Sequence, residues 1–284
     1  MEARSFADPA LFRRTADPLL LPHEARNNLI LGITGTLVTR PEVYPDFHLW
    51  LVEESEIPVA AAAMTPPHNL ILSDPASEEA LEPLAQIVAR SGVDVPGTLG
   101  NEPWVGQFVD TWLQRVGQTA TKTMSHGVFS IDRVQDVPEV PGGPRPANAE
   151  DLDLLIDWVS AFREEADPHS PTDRIAVAVR SRLQSRGSQT GFWVWEIDGV
   201  PVSLSGHGGQ TPNGIRIGPV YTPARYRRQG YATALVAAQS AWLLEHGHRF
   251  CFLYTDLANP TANSIYPKIG YRRVAEASRY SFQD

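Results

Sequence analysis

The chain has 284 residues, 42% of them hydrophobic and 20% charged. That is the balance of a globular protein rather than a disordered one, and against a usual domain of about 100 to 200 residues it predicts two domains. A formal net charge of -9 repels a polyanion, which excludes a general nucleic-acid or acidic-membrane role unless a local basic patch overrides it.

The single cysteine, Cys251, can form neither an internal disulfide nor a multi-cysteine metal site. The expected compartment is therefore the reducing cytoplasm, with no bound metal. The first 18 residues mix charges with proline and lack the apolar core of a signal peptide, and no stretch is long and apolar enough to span a bilayer.

In chain order, residues 48–64 read as a hairpin, residues 70–92 as a strand, turn and helix, and residues 127–132 as a closing strand. These readings come from laying the first half over the second, where the same order recurs without visible identity. Prolines and glycines in 134–146 break both helices and ladders. The predicted organisation is accordingly a domain at 1–135, a linker at 136–146 and a second domain at 147–284.

The second half starts with a helix from Asn148 or Ala149 whose apolar positions Leu152, Leu155, Ile156, Val159 and Phe162 follow the helical period, ended by Pro168 and Pro171. A helix over 173–184 follows, then strands at 192–197 and 202–207 about the hairpin turn Asp198-Gly199. Next come a strand at 215–221, a helix at 231–245, a buried strand at 250–255 containing Cys251, a short helix at 261–268, and strands at 271–274 and 279–282.

Between strand and helix lies VYTPARYRRQGYA, Val220 to Ala232. A helix N-terminus presents unpaired N–H groups and a partial positive charge, and Arg225, Arg227 and Arg228 add full charges, so phosphate is the natural ligand. Gly230 and Ala232 keep side chains out of the way of a pyrophosphate on the backbone. A solvated basic turn is the alternative. In the first half the matching turn, Ser73 to Glu79, carries carboxylates where an anion would need amides. These repel pyrophosphate, and Pro83 early in the next helix disturbs the pattern further.

Arg227-Arg228-Gln229-Gly230-Tyr231-Ala232 resembles the Arg/Gln-x-x-Gly-x-Gly/Ala signature of the GNAT acyltransferases. Asn259, Ala262, Ile265, Tyr266, Gly270 and Tyr271 resemble that family's later helix-and-turn element. The resemblance covers residues 144–284, and the chain looks like a tandem member with a degenerate first copy. It implies an α/β (α+β) fold of two GNAT-like domains, each a mixed, mostly antiparallel sheet flanked by helices.

It further implies acetyl-CoA as cosubstrate and, as partner, a small amine or peptide acceptor that attacks the thioester directly, in a protein that is a monomer or homodimer. Backbone amides of Arg228, Gly230, Tyr231 and Ala232, within the turn that includes Arg227 and Gln229, would hold the pyrophosphate. Val220, Tyr221 and Thr222 at the strand end, with Asn259 and Ala262, would bind the pantetheine arm. Tyr266 would stand beside the sulfur and donate a proton or hydrogen bond to the thiolate, a phenol of pKa about 10 serving a thiol of about 8.5. A core aromatic is the alternative for Tyr266.

Many relatives carry a glutamate base on the strand before the turn, but here that strand, GIRIGPVY, has no carboxylate. Glu165, beside the apolar stripe of its helix, is the candidate base, with Glu164, Asp167 and His207 behind it. Cys251 reads as a core residue. Two other readings stay open: transfer from another acyl-CoA or to another acceptor, and a non-catalytic CoA-binding module.

Overall fold

The computed structural model describes residues 1–166, 175–185 and 189–284. Ten elements come first: β1 (Glu2–Phe6), α1 (Pro9–Leu20), α2 (Asn28–Thr39), β2 (His48–Glu54), β3 (Ile57–Met64), β4 (Leu70–Leu72), α3 (Leu81–Arg90), β5 (Gly97–Asn101), α4 (Trp104–Val116) and β6 (Thr119–Ile131). Ten follow: β7 (Gly143–Pro146), α5 (Leu152–Ala166), α6 (Ile175–Gln184), β8 (Gly191–Ile197), β9 (Val200–Gly208), β10 (Gly214–Tyr221), α7 (Tyr231–Glu245), β11 (Phe250–Asp256), α8 (Pro260–Ile269) and β12 (Arg272–Gln283). The two sets repeat element for element, so the internal repeat is real in topology.

Two compact units result. Unit 1 holds Met1–Val128, Tyr254–Ala258 and Arg273–Asp284, and unit 2 holds Phe129–Leu253 and Asn259–Arg272. The units therefore do not follow the chain as the sequence divides it. The last strand of the second set, β12, pairs antiparallel with β5 of the first, from Ala277 opposite Asn101 to Ser281 opposite Gly97. The closing strands expected at 271–274 and 279–282 are one strand, and the stretch expected to be pure linker contains β7, which pairs with β8. Strand partners far apart in sequence are chosen by pairing, which a reading of local pattern does not see.

Within unit 1 the order β1-β2-β3-β4-β5-β12 is antiparallel except for the parallel pair β4 and β5. Period-two alternation splits its hydrophobic residues between the two faces. Trp50, Val52, Ala60, Ala62 and Met64 pack with α3 and α4 side chains such as Leu84 and Phe108, whereas Leu49, Leu51, Ala61 and Ala63 pack with Phe12, Leu20 and Leu31 of α1 and α2. Such burial is worth about 1.5 to 3 kcal/mol for each large side chain.

Unit 2 repeats the scheme, with β7 to β10 antiparallel and β10 parallel to β11. Phe192, Val194 and Leu204 face Leu155, Ile175 and Val179 of α5 and α6. Ile215, Ile217, Cys251 and Leu253 face Val236, Ala237 and Leu243 of α7 and Tyr266 and Ile269 of α8. The β8–β9 turn at Asp198-Gly199 has positive φ at both residues (47 and 78), the geometry that lets a two-residue hairpin match strand twist.

The entry to α5 is pinned by charge. The Asn148 side chain accepts from the Glu150 amide at 2.8 Å, and Asp151 accepts from the Asn148 amide at 2.8 Å, forming a capping box. Arg145 on β7 donates to both Asp151 oxygens (2.7 and 2.9 Å) and to Glu196 on β8 (2.6 Å). Burial works to raise the Asp151 carboxyl, but the hydrogen bonds from Arg145 and Asn148 prevail and hold it below the usual carboxylate range. Asp151→Ala is expected to cost about 2 kcal/mol in urea unfolding. That falls short of the 3 to 5 kcal/mol of a fully buried pair because the Arg145 side chain is 30% exposed. A loss below about 0.5 kcal/mol would show that the knot is ornamental.

Candidate active site

The site in unit 2 is built where two parallel strands separate. β10 and β11 pair only at Gly214, Ile215 and Arg216 opposite Phe250, Cys251 and Phe252. On its other side β10 stays paired with β9, but Ile217 lies opposite His207 and Val220 opposite Ser205, so β10 carries one extra residue there, a bulge at Gly218-Pro219. Pro219 has no N–H to give to a ladder. Beyond Arg216, the β10 edge that faced β11 has backbone groups with no strand partner. Val220, Tyr221 and Thr222, all half-buried, lie on this stretch. The Thr222 hydroxyl is bonded to Ser203 Oγ at 2.8 Å.

After the strand the chain makes a short 3-10 turn at Ala224–Tyr226 and enters α7. Arg228 and Gly230 both take positive φ (63 and 86), bending the backbone around Gln229. The first bond into α7 runs from the Ala234 amide to the Gly230 carbonyl, so the amides of Tyr231, Ala232 and Thr233 have no helical acceptor. A Cβ on Gly230 would stand 2.9 Å from Val140 Cγ1 in addition to the strained φ. Arg225, Arg227, Arg228 and Gln229 are exposed, and the Tyr231 hydroxyl donates to Gln229 Oε1 at 2.9 Å. This is an anion cradle of amides and cations.

Arg227 is engaged. Its Nη2 donates to both oxygens of Glu165 at 2.8 Å and its Nε donates to the Thr222 carbonyl at 2.8 Å. Tyr221 adds a long hydrogen bond to Glu165 at 3.5 Å. Hydrogen bonding to Glu165 is the largest cause that raises the Arg227 guanidinium further above its ordinary value. Glu165 therefore stands at the phosphate turn, in an ion pair with both partners exposed, and not as an isolated carboxylate. Of the other candidate bases, His207 is buried with Nδ1 bonded to Gln239 Nε2 at 3.0 Å. Asp167 lies outside the described residues.

On α8, Asn259 is the N-cap, its Oδ1 accepting from the Ala262 amide at 3.1 Å, and Gly270 ends the helix at positive φ. Tyr266 lies 8% exposed with its ring against Phe129 and Tyr271, and its hydroxyl has no partner among the described residues. Burial pushes its hydroxyl up to about 12. Val220 at the strand end and Ala262 and Tyr266 of α8 share one hydrophobic cluster in unit 2, whereas Tyr231 of the turn packs in another. The sequence reading passed over two cations on α6 and β10, Arg182 and Arg216. The only signal for the latter was an arginine where the strand lacked a carboxylate.

Residues 152–271 match the acetyltransferase (GNAT) family. That segment is a GNAT domain. Its family is one of acyltransferases, and the chain is an enzyme of that class. No curated protein matches the chain.

Solved structures resemble the whole fold. A GNAT acetyltransferase from Colwellia psychrerythraea is 11% identical with a TM-score of 0.60, covering 100% of both chains. A GCN5-related N-acetyltransferase from Sphaerobacter thermophilus is 16% identical with a TM-score of 0.63, covering 99% of this chain and 95% of that one. A protein described as a tandem GNAT protein from the clavulanic acid biosynthesis pathway is 13% identical with a TM-score of 0.59, covering 99% and 98%. With the repeated element order, these make the architecture that of two GNAT-like domains in tandem. No described helix is long and apolar enough to cross a membrane.

Unit 1 has the same parting of parallel strands, after Leu70 and Ile71 opposite Thr98 and Leu99, but the gap is filled from within. Asp74 is buried, bonded to Arg26, to Asn101 Nδ2 (2.8 Å) and, through its amide, to Asn27 Oδ1 (3.0 Å). A cavity of about 10 Å³, room for about one water, remains beside Arg26, Asn101 and Tyr254.

Burial pushes the thiol of Cys251 up to about 12 from an ordinary 9.0, and that of the Tyr266 phenol to about 12 from 10.0. Tyr271 rises as well. These folded values lie above the unfolded ones, so the unfolded chain releases the protons first. The stabilisation is whole below about pH 9 and is lost as pH rises towards 12, at up to about 1.4 kcal/mol per pH unit for each group. Melting temperature should hold steady from pH 7 to about 8.5 and fall steeply above pH 9. In Cys251→Ala the fall should begin nearer pH 10. A flat profile to pH 11 would contradict the burial of these groups.

Proposed function

We propose that this chain transfers the acetyl group of acetyl-CoA to a primary amine of a small molecule or peptide, with the chemistry in unit 2. The observation that carries the reading is the parting of β10 and β11 directly ahead of the amide-lined, arginine-rich entrance to α7. Unpaired strand edge offers hydrogen bonds to the amides of a pantetheine arm, and the helix entrance offers them to a pyrophosphate. Asn259 Nδ2, left over from the cap, is a further donor for that arm. The amine nitrogen attacks the thioester carbonyl, the new C–N bond forms as the C–S bond breaks, and the sulfur leaves as a thiolate.

Tyr266 meets that thiolate with a hydrogen bond. Full proton transfer from a phenol of about 12 to a thiolate of about 8.5 is uphill by about 5 kcal/mol, so hydrogen bonding dominates. The amine proton leaves to water, because Glu165, bound to Arg227 at the phosphate turn, stands a pantetheine arm away from the thioester; its part is to hold Arg227 until phosphates displace it. An exposed pair of this kind is worth at most about 1 kcal/mol, so the exchange is cheap.

The unit 1 counterpart is proposed to be silent, because Arg26, Asp74 and Asn101 occupy its gap and because its turn is acidic. Calorimetry on the wild type should give one acetyl-CoA per chain, and a folded Gly230→Val protein should bind none. A stoichiometry of two, or unchanged affinity in the variant, would remove the assignment. Tyr266→Phe removes only the hydroxyl, so acetyl-CoA affinity should hold while kcat and kcat/KM fall together by about 10². Wild-type turnover, with chemistry rate-limiting, would return Tyr266 to the core.

A further inference from the structure

Arg216 is the last residue of β10 paired with β11, at the point where the strands part. Across the β9 ladder it lies opposite Gly208, and opposite residues project their side chains to one face. A Cβ on Gly208 would stand 3.6 Å from Nη2 of Arg182, so Arg182 lies on the face to which Arg216 points. Arg182 comes from α6. Its Nε donates to the His207 carbonyl at 2.9 Å and its Nη2 to the Gly218 carbonyl at 2.8 Å, with the guanidinium 4.5 Å from the Phe192 ring centre.

Two guanidinium groups therefore converge on a strip of sheet that has been cleared for them. A Cβ on Gly206 would sit 2.9 Å from Arg182 Nη2, and one on Gly209 would sit 2.7 Å from Arg216 Nη2.

Among the described residues Arg216 makes no hydrogen bond or ion pair. Its Nη1 is buried without a hydrogen-bond partner, and no described acid pairs with its guanidinium, in a chain with 33 Asp and Glu against 24 Lys and Arg. With acids in excess, a half-buried cation beside a second cation is poorly placed unless an anion joins it.

That anion is not supplied by the cofactor phosphates. Ile215 and Ile217, the neighbours of Arg216 on β10, face the α7 side, whose N-terminus forms the phosphate cradle. Arg216 faces the α5 and α6 side instead, together with Phe192 and Leu204.

We propose that Arg216 binds a carboxylate of the acceptor, so that the substrate class is an amino acid or a similar amine carrying a carboxylate, not a plain amine. The inference rests on the acyl-transfer reading of the site. A guanidinium fork matches a carboxylate in bidentate fashion, and an anion seated at Arg216 sets its attached amine at the mouth of the parted strands. Arg182, anchored to the backbone, adds its field without moving.

The test compares acceptors in pairs, each of the twenty amino acids with its α-amide, in steady-state thiol release from acetyl-CoA by the full chain. The α-amide is intrinsically the better nucleophile at neutral pH, since its ammonium is more acidic, so preference for the free acid has to come from the protein. For at least one pair, wild-type kcat/KM should favour the acid by about 10- to 100-fold, the size of a hydrogen bond to a charged group.

Arg216→Gln should erase that preference and leave turnover of the amide and the acetyl-CoA affinity within about twofold. Arg216→Lys, which keeps the charge without the fork, should retain part of it. Equal use of acids and amides by the wild type, or an equal loss on both in Arg216→Gln, would overturn the inference and leave acyl transfer standing. Failure of the wild type to bind acetyl-CoA would bring down the acyl-transfer reading, and this one with it.

Discussion

Backbone polar groups removed from water need partners, and a strand that leaves its neighbour exposes a row of them at once. In unit 2 that happens after the third paired residue of β10 and β11. The bulge at Gly218-Pro219 keeps β10 on β9 while freeing its other edge. Val220, Tyr221 and Thr222 then present groups that an extended, amide-bearing ligand can satisfy, and the chain runs straight into the unpaired amides at the start of α7. The arginines, the caps and the buried tyrosine take their meaning from that opening.

Unit 1 shows the same topology with its gap closed from within. Its β4 and β5 part in the same way, yet Arg26, Asp74 and Asn101 close the gap with hydrogen bonds among themselves. A buried carboxylate is tolerated there because a guanidinium and an amide satisfy it. Two copies of one scaffold thus solve the same backbone accounting differently, one with internal side chains and one with groups left open.

Charge is distributed with similar economy in unit 2. A chain of net charge -9 repels acyl-CoA and carboxylates at long range. Arg225, Arg227 and Arg228 gather at the entrance to α7, and Arg182 and Arg216 gather on the α5 and α6 face. Glu165 sits at the first group, bound to Arg227 and exposed, where a phosphate can displace it. The net charge therefore says little about what the site binds, because local cations act within a Debye length of about 8 to 10 Å.

The sequence by itself determined most elements of the second half and the arginine-rich turn between strand and helix. Local rules suffice for those: period-3.6 and period-2 patterns, the Asp198-Gly199 hairpin, and Gly230 where the chain enters a helix after a run of arginines. Tyr231–Glu245 as α7 and the burial of Cys251 were legible for the same reason. The tertiary structure alone decided that β12 joins β5 in unit 1, that Glu165 meets Arg227 across 62 residues, that Asp74 is an internal counter-ion, and that Arg216, beside Arg182, is left without a partner among the described residues. Each of these depends on which residues distant in the chain share a face or an edge, and no window of sequence contains both members of such a pair.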